Sequence, residues 1–482
     1  MLSLLIFIVA AGLILQAFIG LTFFISSIWE KERRAPVFGG LQFLSMLALV
    51  LFFFYLLNAG FFETPPGIII LIIGLLIGAF AAFFLFRRIG DNVKALEGTR
   101  GLIVSEVSRQ DEREIMFARN RSLPPGSEQY KHFYQAHPEY EQYDTARREK
   151  GGPLGRPGTI DKPLERPNVA ATFASLSIPM FLSTPEKVEP RALPIFPDQP
   201  ENINPDIASE IVKGCTRNLG ADLVGITEIN PLWVYSHRGE IFHENWDEWG
   251  KEIELKHKYA VVFATEMSLD LVGTAPHTPT TIASMGNYAK GAYIATQLAA
   301  FIANLGYPAT AHHLRHYDFV LVPMAVDAGL GECGRLGYLM TKKFGPRVRL
   351  GAVSTDLPMV SDHPADIGVA DFCRICKKCA ICCPSKSIPS DGPKEVNGTL
   401  RWKLNAETCF DYWGTIGTDC NICMRVCPWS HANTFPHKII RTLISRNHYS
   451  RRLFSIMDDI FYGKKPKSKA PPKWAQFDSR PS

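Results

Sequence analysis

The chain has 482 residues, room for two or three domains. Its formal net charge of +5 is mild, and lysines and arginines are interspersed with acids rather than run together, which speaks against nucleic acid as a partner. A mean hydropathy of zero averages an intensely apolar start with an ordinary soluble remainder.

Three uncharged apolar runs open the chain, over residues 1–29, 37–62 and 64–86. Each is long enough to cross a bilayer, for which about 20 apolar residues suffice. Residues 1–90 therefore read as a membrane anchor of three transmembrane helices. The first run does not read as a cleavable signal, because no positive residue precedes it and no twin-arginine pair opens the chain. Lys31, Arg33 and Arg34 follow the first run and Arg87 and Arg88 the third, whereas the turn between the second and third carries only Glu63. The positive-inside rule then puts the amino terminus outside and everything after Arg88 in the cytoplasm. This is a multi-pass protein of the cell (inner) membrane, with lipid as a partner. The anchor holds no histidine and so no bis-histidine haem.

Residues 91–202 are polar and rich in proline and glycine, and read as a connector wrapping the next domain, without long helices after Pro153. From 203 to 365 the pattern is that of an α/β domain. ASEIVKGCTRNLGADLVGIT reads as a helix ended by Gly220 and a strand over 222–227. Residues 259–267, 319–326 and 347–356 read as further buried strands. Residues 281–305 read as an amphipathic helix stopped by Gly306, with Ala292, Ala295, Leu298, Ala299 and Ile302 on one face. Strands and helices in alternation predict a layered sheet. The glycine-dense run AGLGECGRLG has a backbone that can approach a large ligand closely, but it matches neither a phosphate loop nor a dinucleotide fingerprint.

All but Cys215 and Cys333 of the 11 cysteines fall between Phe372 and Trp429. They form two runs: Cys373-x2-Cys376-x2-Cys379-x3-Cys383-Pro384 and Cys409-x10-Cys420-x2-Cys423-x3-Cys427-Pro428. Three thiolates on a tight loop grip one cubane, and the fourth cysteine of the run reaches the other. The spacing thus predicts two [4Fe–4S] clusters. Cys373, Cys376, Cys379 and Cys427 would hold one; Cys383, Cys409, Cys420 and Cys423 the other. Cys382 is spare, since the proline follows Cys383. Zinc knuckles are the rival, but such sites rarely use paired runs of this kind. Residues 366–435 are then a bacterial-ferredoxin-like two-cluster domain, and 436–482 a basic C-terminal tail.

The segments NLGADLVGITEINPLWVYS, GNYAKGAYIATQLAAFIANLGYPA, VDAGLGECGRLGYLMTKKFGPRVRL, FCRICKKCAICCP and CNICMRVCPWSH, in this order, resemble the reductive dehalogenase catalytic subunit family. The resemblance implies a corrinoid (cobalamin-type) held in a nitroreductase-like α/β core over 203–365. It also implies electron supply through two [4Fe–4S] clusters and removal of halide from an organohalide. Tyr288, in GNYAKG, matches the family's proton-donating tyrosine. A phenol, with an ordinary pKa of about 10, is a slow acid near neutrality, so a cation beside it should stabilise the phenolate. Arg335 is assigned that task. No Asp-x-His-x-x-Gly element is present, so the corrinoid is expected base-off, near Ser284, Gly329 and Gly331, with His312, His313 and His316 as rival ligands. Respiratory members usually carry a twin-arginine signal. This chain's three spans resemble instead the small separate anchor protein that accompanies such enzymes, so the chain reads as an anchor fused to a catalytic subunit. The donor would be a ferredoxin, a flavodoxin or a membrane electron carrier.

Two other readings compete. An epoxyqueuosine-reductase-like corrinoid enzyme shares the cofactor plan but needs no anchor and acts on tRNA, for which no basic face is evident. A membrane ferredoxin that only relays electrons leaves the α/β domain unexplained.

Overall fold

The structure, a computed structural model, describes residues 2–90, 92–151, 166–182, 187–188, 200–241, 246–314 and 316–475. Parts of the expected connector (152–165, 183–186 and 189–199) and the end of the expected tail lie outside the described residues. The chain divides into two compact units. One comprises Met1–Asp91, Ile367–Cys376 and His431–Lys469, the other Asn92–Asp366, Lys377–Ser430 and Ala470–Ser482.

The first unit opens with α1 (Leu2–Trp29), α2 (Ala35–Asn58) and α3 (Pro65–Phe86), three helices long and apolar enough to cross a membrane. A helix satisfies its own backbone polar groups, which is what lipid demands of a spanning segment. The Thr64 hydroxyl caps the start of α3 by accepting from the Gly67 amide at 3.3 Å. At its other end the Asn447 side-chain amide donates to the carbonyls of Phe84 and Arg87. The Asn447 oxygen meanwhile caps the helix His448–Phe461 by accepting from the amides of Tyr449 and Ser450. The expected tail is thus largely helical, over Phe435–Arg446 and His448–Phe461. Within it, buried Arg451 donates to Asp371 at 3.0 Å.

The second unit is built on five strands: β1 (Lys187–Val188), β2 (Leu223–Glu228), β3 (Tyr259–Glu266), β4 (Ala309–His312) and β5 (Val348–Thr355). Their order is β1-β4-β5-β3-β2, and every neighbouring pair is antiparallel. The fold is a mixed helix and sheet structure, but the alternation of elements winds an antiparallel sheet. Helices α4 (Arg166–Leu182), α5 (Pro205–Asn218) and α6 (Pro279–Asn304) belong to this unit. The anticipated face of α6 is buried, and Ile294, Leu298 and Ile302 pack with Val261, Phe263 and Val353 of the sheet. Each such side chain contributes about 2 kcal/mol by leaving water.

Two expectations fail locally. Residues 319–326 were expected to form a strand, yet they run into the helix α7 (Leu321–Asp327). A short apolar run does not distinguish the two states, and Pro323 decides. In the first helical turn its missing N–H costs nothing, whereas in an inner strand it removes a ladder donor. The connector does contain a long helix, the 17-residue α4, with Pro179 inside it. Only three residues follow that proline, so the lost hydrogen bond falls in the final turn.

Candidate metal centre and active site

Cys383, Cys409, Cys420 and Cys423, assigned together from spacing, line one pocket with Tyr338, Tyr412 and Asp419. Cys409 sits on the helix Ala406–Ile416, whose cap Asn405 accepts from the Thr408 amide at 3.2 Å. Cys420 and Asn421 have φ of 64° and 54°, left-handed values that let the loop double back before the short helix Ile422–Arg425. Lys377, at the matching place in the first run, has φ of 53°. The two runs therefore share a backbone device as well as a spacing.

The thiols bear on one another. Burial, then the neighbouring sulfurs, push Cys409 up to about 11 and Cys420 up to about 12, and push Cys423 well above the ordinary thiol range. Three thiols that resist ionising beside one another, gathered with Cys383 about one pocket, fit a metal that supplies positive charge, and an all-thiolate set suits an iron–sulfur cluster. Of the other expected set, Cys373, Cys379 and Cys427 are buried and Cys376 is partly so. Cys373 and Cys376 fall in the first unit, Cys379 and Cys427 in the second.

The loop bearing Cys420 and Cys423 is tied to α6. Buried Asp419 accepts from Thr281 at 3.0 Å, from Asn421 at 2.9 Å and from Ser284. Arg349 on β5 donates to the Ser284 hydroxyl at 2.8 Å and lies 3.8 Å from Asp419. The same guanidinium stands 5.3 Å from the ring centre of Tyr288, one turn along α6 from Ser284. The cation seated on Tyr288 is thus Arg349. Arg335, expected in that role, is buried elsewhere: it donates to the carbonyls of Pro389 at 2.7 Å and Asp391 at 2.6 Å and lies over the Trp402 ring. Spacing gave no signal for Arg349, 61 residues beyond Tyr288. Only the strand arrangement brings it in.

Around Tyr288 are Tyr317, Tyr338 and Arg121, each within its electrostatic reach. Burial raises both neighbouring phenols well above their usual range, and it lowers Arg121. Among the described residues, none hydrogen-bonds to the buried Arg349 Nε. A buried arginine nitrogen normally finds a partner, and the three tyrosines near it are only half-buried, so this group is open to a polar ligand. It fits the polar rim of a corrinoid. The three residues first expected to contact it have other work. Ser284 is committed to Asp419, Arg349 and Asn421. A Cβ on Gly329 would come 2.4 Å from the His363 carbonyl and one on Gly331 2.1 Å from that of Met340, so both glycines answer to the packing of the chain itself. His312 has both ring nitrogens engaged, with the Ser354 hydroxyl at 2.8 Å and the Asp318 amide at 3.3 Å, which leaves no ligand atom. Burial holds it at about 4, hence neutral.

The chain is similar in sequence and in structure to reductive dehalogenases. No family model matches it. It is 35% identical over 277 residues to the tetrachloroethene reductive dehalogenase of Desulfitobacterium hafniense, covering 48% of this chain and 50% of that protein. The catabolic reductive dehalogenase NpRdhA, solved in complex with 3-bromo-4-hydroxybenzoic acid, superimposes with a TM-score of 0.58 at 26% identity, over 79% of this chain and 49% of that one. A shorter stretch of 124 residues is 32% identical to the epoxyqueuosine reductase of Lactococcus garvieae, 23% of this chain and 31% of that protein. The chain spans about half the length of the dehalogenases it matches.

Proposed function

We propose that this protein is a membrane-anchored, corrinoid-dependent reductive dehalogenase whose catalytic unit faces the cytoplasm. The observation that carries the reading is the Tyr288–Arg349 pair, joined through Ser284 and Asp419 to the loop of Cys420 and Cys423. The reaction breaks a carbon–halogen bond, takes up two electrons and one proton, forms a carbon–hydrogen bond and releases halide. A bound corrinoid supplies the low-potential metal that such a reduction needs. Arg349 Nε, Tyr317 and Tyr338 are the groups that would hold its polar edge. The Tyr288 hydroxyl gives its proton to the carbon that loses halide. Arg349 stabilises the phenolate left behind, and Asp419 and Ser284 keep that guanidinium in place. Cys383, Cys409, Cys420 and Cys423 would hold one [4Fe–4S] cluster and Cys373, Cys376, Cys379 and Cys427 the other, giving single electrons a path from a low-potential donor.

An electron relay without catalysis would have no use for Tyr288 and Arg349. A tRNA-modifying enzyme would have no use for the three apolar helices. The test is halide release by the anaerobically reconstituted, reduced chain from a panel of chlorinated and brominated phenols, benzoates and alkenes. Release from at least one class supports the proposal, and none from any class refutes it. A reporter fused after Arg88 should report cytoplasm; an external signal would reverse the orientation.

A further inference from the structure

In the first unit, Glu30 directly follows α1 and is buried, with its side chain only 1% exposed. One carboxylate oxygen accepts from the Ser26 hydroxyl at 2.8 Å and lies 3.4 Å from His437 Nδ1. The other, Oε2, has no hydrogen-bond partner among the described residues. Burying a carboxylate is costly unless it is fully paired. The charged groups around it do not supply that pairing. Lys469 donates to the Glu30 backbone carbonyl at 2.8 Å and pairs with Glu32 at 2.6 Å. Arg441 donates to the carbonyls of His431 and Ala432 and to Asn433.

A carboxylate oxygen of Glu30 and one ring nitrogen each of His431 and His437 lie within 4.8 Å of one another. The neighbours are those of a metal site. His431 Nε2 donates to Asp458 at 2.6 Å, a carboxylate–histidine contact that fixes the tautomer and leaves Nδ1 for an ion. His437 Nε2 meets the Tyr462 hydroxyl at 3.0 Å, leaving Nδ1 toward Glu30. Tetrahedral ligands about 2.0–2.1 Å from zinc stand about 3.3 Å apart, so one pair is already at ligand spacing. The Thr434 hydroxyl, 2.7 Å from His437 Nδ1, would turn back to Ser26, 2.9 Å away, when an ion takes its place. His431 is partly exposed and gives an entry path.

From this geometry we propose that Glu30, His431 and His437 form a divalent-metal site of the zinc class, which fastens the end of α1 to the C-terminal helices. The site is separate from the cysteine clusters and does not depend on the dehalogenase reading. The probe is zinc added to the full-length, detergent-solubilised chain after cluster reconstitution and removal of excess metal. About one tightly held zinc per chain is expected, with nitrogen and oxygen but no sulfur neighbours by X-ray absorption. Glu30→Gln and His437→Gln should each lower the affinity by 10-fold or more while leaving iron content unchanged, and zinc should raise the melting temperature of the parent chain but of neither variant. Sulfur neighbours, absence of zinc, or equal zinc in parent and variants would overturn the proposal.

Discussion

Arg349 offers the sharpest test of the catalytic pair. Its guanidinium carbon is 5.3 Å from the centre of the Tyr288 ring. At an effective dielectric of about 20, a unit charge pair at that distance is worth about 3 kcal/mol. That is roughly 10²-fold in the rate of a step that builds phenolate on Tyr288. Arg349→Met should therefore lower turnover by about 10²-fold, and Arg349→Lys, which keeps the charge, should recover most of the loss. Arg349 also faces buried Asp419, so the Met variant is destabilised as well, by about 3 kcal/mol for the carboxylate left without its cation. Iron and corrinoid content, measured beside turnover with a chemical reductant, separates the two effects. Tyr288→Phe leaves Asp419 undisturbed and should cost 10²-fold or more with full cofactor loading. If the residues act as a unit, the double variant is no slower than the poorer single one. Unchanged turnover in a fully loaded Arg349→Met protein, or losses that simply multiply, would refute the reasoning.

Removing one ligand should remove one cluster: Cys423→Ala should drop iron from about eight to about four atoms per chain, and iron that stays at about eight would dismantle the assigned set. Acid should destabilise the second unit through its buried imidazoles. Burial holds His312 and His313 at about 4, below the ordinary 6.5, so the unfolded chain binds protons that the folded one refuses. Stability present above pH 6.5 is then lost as pH falls toward 4, and His312→Gln should flatten the decline of the melting temperature across that window. An unaltered slope would exclude His312 as a contributor.

The gathering of Cys383, Cys409, Cys420 and Cys423 about one pocket was legible because metal ligation asks for a fixed residue type at a fixed local spacing. The helix carrying Tyr288 was legible because its buried face repeats at helical period over Ala292, Ala295, Leu298, Ala299 and Ile302. What local pattern does not encode was misread. Residues 319–326 are apolar in either state, and only the position of Pro323 favours the helix. The antiparallel order of the sheet depends on which strand lies beside Val348–Thr355, which no single segment records. Arg335 and Arg349 both lie near glycine-rich stretches, and the cation beside Tyr288 is decided by strand register. Ser284 was expected beside the corrinoid, yet its hydroxyl is engaged by Asp419, Arg349 and Asn421.

The central claim is that cysteine-held clusters feed electrons to a corrinoid beside Tyr288. Metal and corrinoid analysis of the anaerobically reconstituted full chain tests it most directly. The account predicts about eight irons and about one corrinoid per chain, with the corrinoid lost or loosened in a Tyr317→Ala, Tyr338→Ala double variant that keeps its iron. A chain that fills with iron yet takes up no corrinoid would contradict it.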